Sequence, residues 1–131
     1  MSPPNGRALD FVPKAKERMS VANRWNIPEG LEREIIDRDR CCVYCGIGFG
    51  PADAPRAARP TWEHIVNDAR IVNRDNIARC CVSCNASKGT KDLADWFESD
   101  FCKRRGISGN TVADVVKRAL ACPPKIDKSN G

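Results

Sequence analysis

Cys41-Cys42-Val43-Tyr44-Cys45-Gly46 and, further along, Cys80-Cys81-Val82-Ser83-Cys84 repeat one pattern, Cys-Cys-Val-x-Cys. Each repeat holds a Cys-x-x-Cys turn, which presents two thiolates from one knuckle. The two turns, Cys42/Cys45 and Cys81/Cys84, are separated by residues 46–80. Together they supply the four soft ligands that zinc takes in a tetrahedron. Cys41 or Cys80 could in principle replace a neighbour, but the two-residue spacing favours Cys42 and Cys81. Gly46 permits the tight turn beneath a metal. With four thiolates bound, no coordination position stays open, so the expected Zn²⁺ is structural. Cys102 and Cys122 stand alone, and with Cys41 and Cys80 they are read as small buried hydrophobes.

Upstream of the first knuckle, a helix is expected from Pro28 to about Arg38, with Leu31, Ile35 and Ile36 on one face and the charged residues toward water. A weaker helix is read over Lys14–Trp25. Between the knuckles, residues 48–60 form a Pro/Ala/Gly loop. Thr61-Trp62-Glu63-His64-Ile65-Val66 is rich in aromatic and β-branched residues and reads as a short strand. Asn67–Arg70 is turn chemistry, Ile71-Val72 would start a returning strand, and Asn73–Asn76 makes a second turn.

A helix should begin at about Val82 and break at Gly89-Thr90. Leu93, Trp96, Phe97 and Phe101 then fall at i, i+3, i+4 and i+8 of a single amphipathic helix stopped by Gly106. A last helix, capped by Asn110 or Thr111, carries Val112, Val115, Val116, Ala119 and Leu120 and ends at Pro123-Pro124.

Composition bounds the rest. A chain of 131 residues is one ordinary domain, read here as residues 14–122 with disordered tails at 1–13 and 123–131. Aromatics are only 6% of the chain, so the core is modest and a metal staple would help it. No signal-like apolar run opens the sequence and no stretch nears the ~20 apolar residues of a membrane span, which gives the expectation of a cytoplasmic chain with no membrane partner. In a reducing compartment, paired cysteines bind metal more often than they form bridges. A net charge of +5 is compatible with a polyanionic partner.

Between and just inside the knuckles lie Glu63-His64, Asn76 and Cys84-Asn85-Ala86-Ser87-Lys88-Gly89. In order and spacing these elements, over about residues 38–97, resemble the HNH nuclease family. That family's core is a ββα-metal finger often braced by two Cys-x-x-Cys knuckles. The resemblance implies an α+β fold: a small zinc-braced ββα-metal (HNH) core with flanking helices. It implies that His64 is the general base, that Glu63 and Asn85 hold a catalytic Mg²⁺ or Mn²⁺, and that Asn76 braces the loop and helps orient the histidine. Lys88, with Arg70 and Arg79, would face phosphates. The pattern here reads His-Asn-Asn, with Glu63 where Asp is commoner and Asn67 where a proline is frequent.

The chemistry is coherent on its own terms. Phosphodiester hydrolysis needs a base for water and a cation for the charge growing on phosphate and leaving oxygen. His64 is the only histidine in the chain, and Glu63 and Asn85 offer the hard oxygens magnesium accepts. With that chemistry available, the resemblance implies a metal-dependent endonuclease acting on double-stranded DNA and leaving 5′-phosphate and 3′-hydroxyl ends. One unit holds one active site, so a double-strand break needs a homodimer or two encounters. The rival readings are a non-catalytic zinc-knuckle module that binds nucleic acid, and a zinc-knuckle scaffold that binds another protein.

Overall fold

In the computed structural model, residues 27–126 are described. The expected helix at 14–25 and both expected tails, save residues 123–126, lie outside this range. Helix α1, Glu29–Arg38, starts immediately after Pro28, whose carbonyl accepts the Glu32 amide at 2.9 Å. Its inner face carries Ile35, fully buried, and half-buried Leu31. Ile36 is 38% exposed, against the sequence expectation. At about 100° per residue, Ile35 lies only ~40° round the helix from Leu31 while Ile36 is swung well away. Glu32, expected to face water, is instead buried with both carboxylate oxygens unpaired; burial, with the nearby charge of Glu29, raises its pKa.

The first knuckle follows α1, with Gly46 at φ 81°, in the left-handed region that glycine adopts without strain. Within the expected loop, Arg56–Ala58 forms a single 3₁₀ turn. Strand β1, Pro60–His64, then pairs antiparallel with β2, Ile77–Cys81, in the register Pro60↔Cys81, Trp62↔Arg79 and His64↔Ile77. The returning strand is thus 77–81, and Ile71-Val72 belong to the connecting loop.

Helix α2, Val82–Lys88, leaves β2 directly, so β1, β2 and α2 form a continuous ββα unit. The expected long helix after Gly89 is two short ones, α3 (Leu93–Phe97) and α4 (Asp100–Arg105). Ser99 divides them: its side chain accepts the Cys102 amide and caps a new helix. Gly106, at φ 69°, ends α4. Helix α5, Asp114–Ala121, starts later than expected because Thr111 Oγ1 is used in the preceding turn, where it accepts the Ser108 amide and donates to the Gly106 carbonyl. Leu120, expected on its buried face, is 40% exposed.

Side chains alternate across the hairpin, so its two faces are covered separately. Ile77 and Trp62 join Ile35 and Leu31 of α1 in one apolar cluster. Ala78 and Cys80 join the larger core of Tyr44, Trp96, Val112 and Val116. Leu93, Trp96, Phe97 and Phe101 do share that core, although not on one helix. The result is a small α+β fold with a two-stranded sheet and five α-helices among the described residues. None of these helices is long and apolar enough to cross a membrane.

Candidate metal centre and active site

Cys42, Cys45, Cys81 and Cys84 converge, with their sulfur atoms all within 4.8 Å of one another. Ligands about 2.3 Å from a tetrahedral zinc stand roughly 3.8 Å apart. The Cys45 and Cys81 sulfurs are 3.9 Å apart, close to that separation, and the cluster as a whole could hold a structural zinc ion. Each knuckle repeats the same local bond: the Cys45 amide donates to Cys42 Sγ and the Cys84 amide to Cys81 Sγ, both at 3.4 Å. Such N–H groups favour thiolate over thiol. The geometry also resolves the choice within each Cys-Cys pair. Cys80 points into the core, where burial pushes its thiol pKa well up, and Cys41 is exposed. Cys102 is buried as expected, whereas Cys41 and Cys122 are on the surface rather than in the core.

The second group of residues gathers where β1 ends. Glu63 faces the larger core and is 4% exposed. Its Oε2 accepts the Tyr44 hydroxyl at 2.6 Å and lies 2.9 Å from Lys88 Nζ. Its Oε1 carries no hydrogen bond among the described residues. Burial raises the Glu63 pKa, while Lys88 and the Tyr44 hydroxyl pull it down. Tyr44 is held well above its ordinary range, first by burial and then by the Glu63 charge, so it stays a hydrogen donor. Lys88, expected to face phosphates, is instead 1% exposed with its ammonium turned inward to pair with Glu63, away from solvent. It also donates to the His64 carbonyl at 3.4 Å.

His64 is the last residue of β1 and is buried at 8% exposure. Burial, with the charge of Lys88, lowers the imidazole pKa and Asp68 pulls it back up, so the ring is mainly neutral at pH 7. Asn76 lies fully buried beside the segment that follows. Its Oδ1 accepts the Val66 amide at 2.7 Å, and its Nδ2 donates to the Val66 and Ile71 carbonyls, each at 3.1 Å. Its own carbonyl accepts the Ile65 amide at 2.9 Å. Asn85, on α2, donates through Nδ2 to the Trp62 carbonyl at 3.1 Å.

The fold therefore brings the Glu63 carboxylate and the Lys88 ammonium together, with the His64 backbone carbonyl beside the ammonium. It sets Asn85 against the same strand and seats Asn76 under the loop. As strand neighbours opposite Ala78 and Ile77, Glu63 and His64 stand on alternate faces of β1. The two arginines stand apart from this group. Arg70 is exposed and bonded to Asp68 at 3.0 and 2.8 Å. Arg79 lies across the hairpin from Trp62, its guanidinium carbon 5.3 Å from the Phe49 ring centroid and 5.6 Å from that of Trp62.

The chain is similar to a bacterial endonuclease. It is 26% identical over 118 residues to the CRISPR-associated endonuclease Cas9 of Corynebacterium diphtheriae, a match that covers 86% of this chain and 10% of Cas9. The chain thus spans about a tenth of the length of the curated relative it matches. No family model matches it, and no solved structure does.

Tyr44 is the contact that residue-by-residue reading of the sequence passed over. It sits inside a knuckle, where attention goes to the cysteines. A buried tyrosine hydroxyl nevertheless needs a partner, and the carboxylate of Glu63 is one.

Proposed function

We propose that this chain is a metal-dependent DNA endonuclease module of the HNH kind, with His64 as general base. The observation that carries this reading is the position of His64. It closes β1 beside Glu63, over a loop held by Asn76, on the strand against which α2 sets Asn85. The similarity to a protein named as an endonuclease supports the same reading.

Glu63 and Asn85 fit a hard divalent cation in donor chemistry. Glu63 Oε1 is not engaged by hydrogen bonds among the described residues, and the Asn85 amide bonds Trp62 through nitrogen, leaving its oxygen for a ligand. Mg²⁺ or Mn²⁺ held there would supply positive charge for the scissile phosphate and the departing oxygen. The chain's own residues do the rest. The neutral imidazole of His64 takes a proton from the attacking water. Asn76 fixes the backbone at Ile65 and Val66 and so the exit of the strand that carries His64. Arg70 and Arg79 supply cationic contacts for the DNA backbone, which position the duplex and carry little sequence information. Zinc on the four cysteines is structural and takes no part in the reaction.

One observation favours a second reading. Lys88 and Glu63 neutralise each other in the interior, as a purely structural ion pair would, and a zinc-knuckle module that binds nucleic acid without cutting it would need nothing more.

A nicking assay on supercoiled plasmid with Mg²⁺ or Mn²⁺ separates the two. The wild-type chain should give relaxed product only when the cation is present. His64→Ala should lose at least about 100-fold in rate, in the range general-base catalysis supplies, with zinc content and melting temperature unchanged. Plasmid shifted in a gel but left intact by the wild type would establish the binding module instead. Undiminished cutting by His64→Ala would remove the histidine from the mechanism.

A further inference from the structure

We infer that Tyr44 is a positioning residue for Glu63, through which the first cysteine knuckle sets the direction of the cation ligand. The inference rests on the reading of Glu63 as that ligand. Tyr44 lies between Cys42 and Cys45, so the fold of the knuckle fixes its backbone. Its ring is 1% exposed and meets Trp96 edge to face, with centroids 4.9 Å apart and planes at 72°. A ring held in this way delivers its hydroxyl to one place, and that place is Glu63 Oε2, at 2.6 Å. Lys88 reaches the same oxygen from α2, at 2.9 Å.

Two donors on one carboxylate oxygen fix the group's rotation and leave the other oxygen to face a ligand. Carboxylates that bind metals are themselves hydrogen-bonded in this manner, and loss of such an outer contact commonly costs 10–100-fold in metal affinity. A glutamate has one more rotatable bond than an aspartate, so here the anchoring has more freedom to remove. The four-cysteine centre and the cation site would then be joined twice: through Cys84 and its neighbour Asn85, and through Cys45 and its neighbour Tyr44.

The test is Mn²⁺ binding to the zinc-loaded full chain, followed by electron paramagnetic resonance, for wild type, Glu63→Ala and Tyr44→Phe. The last variant keeps the ring and removes only the hydroxyl. Wild type should bind Mn²⁺, Glu63→Ala should lose that binding, and Tyr44→Phe should bind about ten-fold more weakly with its zinc retained. The Mn²⁺ concentration for half-maximal plasmid nicking should rise by the same factor, with the rate at saturating Mn²⁺ changed far less.

Tyr44→Phe binding Mn²⁺ as tightly as wild type, while Glu63→Ala does not bind, would overturn the role of Tyr44 alone. Glu63→Ala binding like wild type would overturn Glu63 as the ligand, and Tyr44 with it. Loss of zinc or of a cooperative melt in Tyr44→Phe would make the hydroxyl part of the fold and would also overturn the proposal.

Discussion

Asn76 makes three side-chain hydrogen bonds from a fully buried position, all to the backbone that leaves β1 after His64. Replacing it by alanine would strand the Val66 amide and leave two carbonyls short of a donor. Buried groups left without partners cost about 1–3 kcal/mol each, less where they re-pair or reach water. Asn76→Ala should therefore lose about 3 kcal/mol in urea denaturation, with the slope of the transition unchanged. A loss below about 1 kcal/mol would mean the loop holds without it. The sequence identified this asparagine through its place in a motif, since its residue type alone is that of any polar turn. Lys88 was harder to read. A lysine near the end of a short helix is ordinarily solvated, but here the inward-facing Glu63 carboxylate and the His64 carbonyl give its ammonium partners in the interior. Charge sign is legible in a sequence, but the side on which a charge finds its counter-ion is set by tertiary packing.

Ser99 shows what periodicity leaves out at the scale of an element. The apolar spacing of Leu93, Trp96, Phe97 and Phe101 correctly groups four residues of one core, and it would fit an unbroken helix equally well. The break comes from a polar position, where the Ser99 side chain caps α4 by accepting the Cys102 amide at 3.3 Å. A serine in mid-helix is unremarkable by propensity, so the pattern of buried residues does not reveal the restart. Ser99→Ala should cost about 1 kcal/mol, read from the denaturation midpoint, and Ser99→Asp should recover most of it. An alanine variant as stable as wild type would show that packing of Trp96 against Phe101, at 6.1 Å between ring centroids, sets the turn unaided. The β-hairpin has a similar lesson. Ile71-Val72 has strand composition, yet Asn76 bonds the Ile71 carbonyl and holds that stretch as loop, so pairing begins at Ile77.

Over the whole molecule, a two-stranded sheet is a weak foundation, since an isolated hairpin is marginal in water. This one is covered on both faces, by α1 and by the larger core, and both knuckles lie against it. The first knuckle is tied to β2 by the bond from the Val43 amide to the Arg79 carbonyl, and to the start of α5 by the bond from the Ala113 amide to the Val43 carbonyl. The second knuckle is the junction of β2 and α2. Four cysteines from separate parts of the chain thus meet at one point of the fold. This was the most legible feature of the sequence, because metal-ligand spacing is local within each knuckle and leaves only the pairing of the two to tertiary structure. The organisation around it explains why the four-cysteine cluster and the proposed active site are adjacent: Cys45 follows Tyr44, and Cys84 precedes Asn85.

If the cysteine cluster holds the fold, metal binding and folding are one equilibrium. The measurement is zinc content per chain, followed by near-ultraviolet circular dichroism of the buried Tyr44 and Trp96 as a strong chelator is added. One zinc per chain, lost together with the aromatic signal and with plasmid nicking, and all three restored by zinc, is the expected result. A chain that gives up its zinc, or never held any, and still keeps the aromatic signal and melts as before would contradict it.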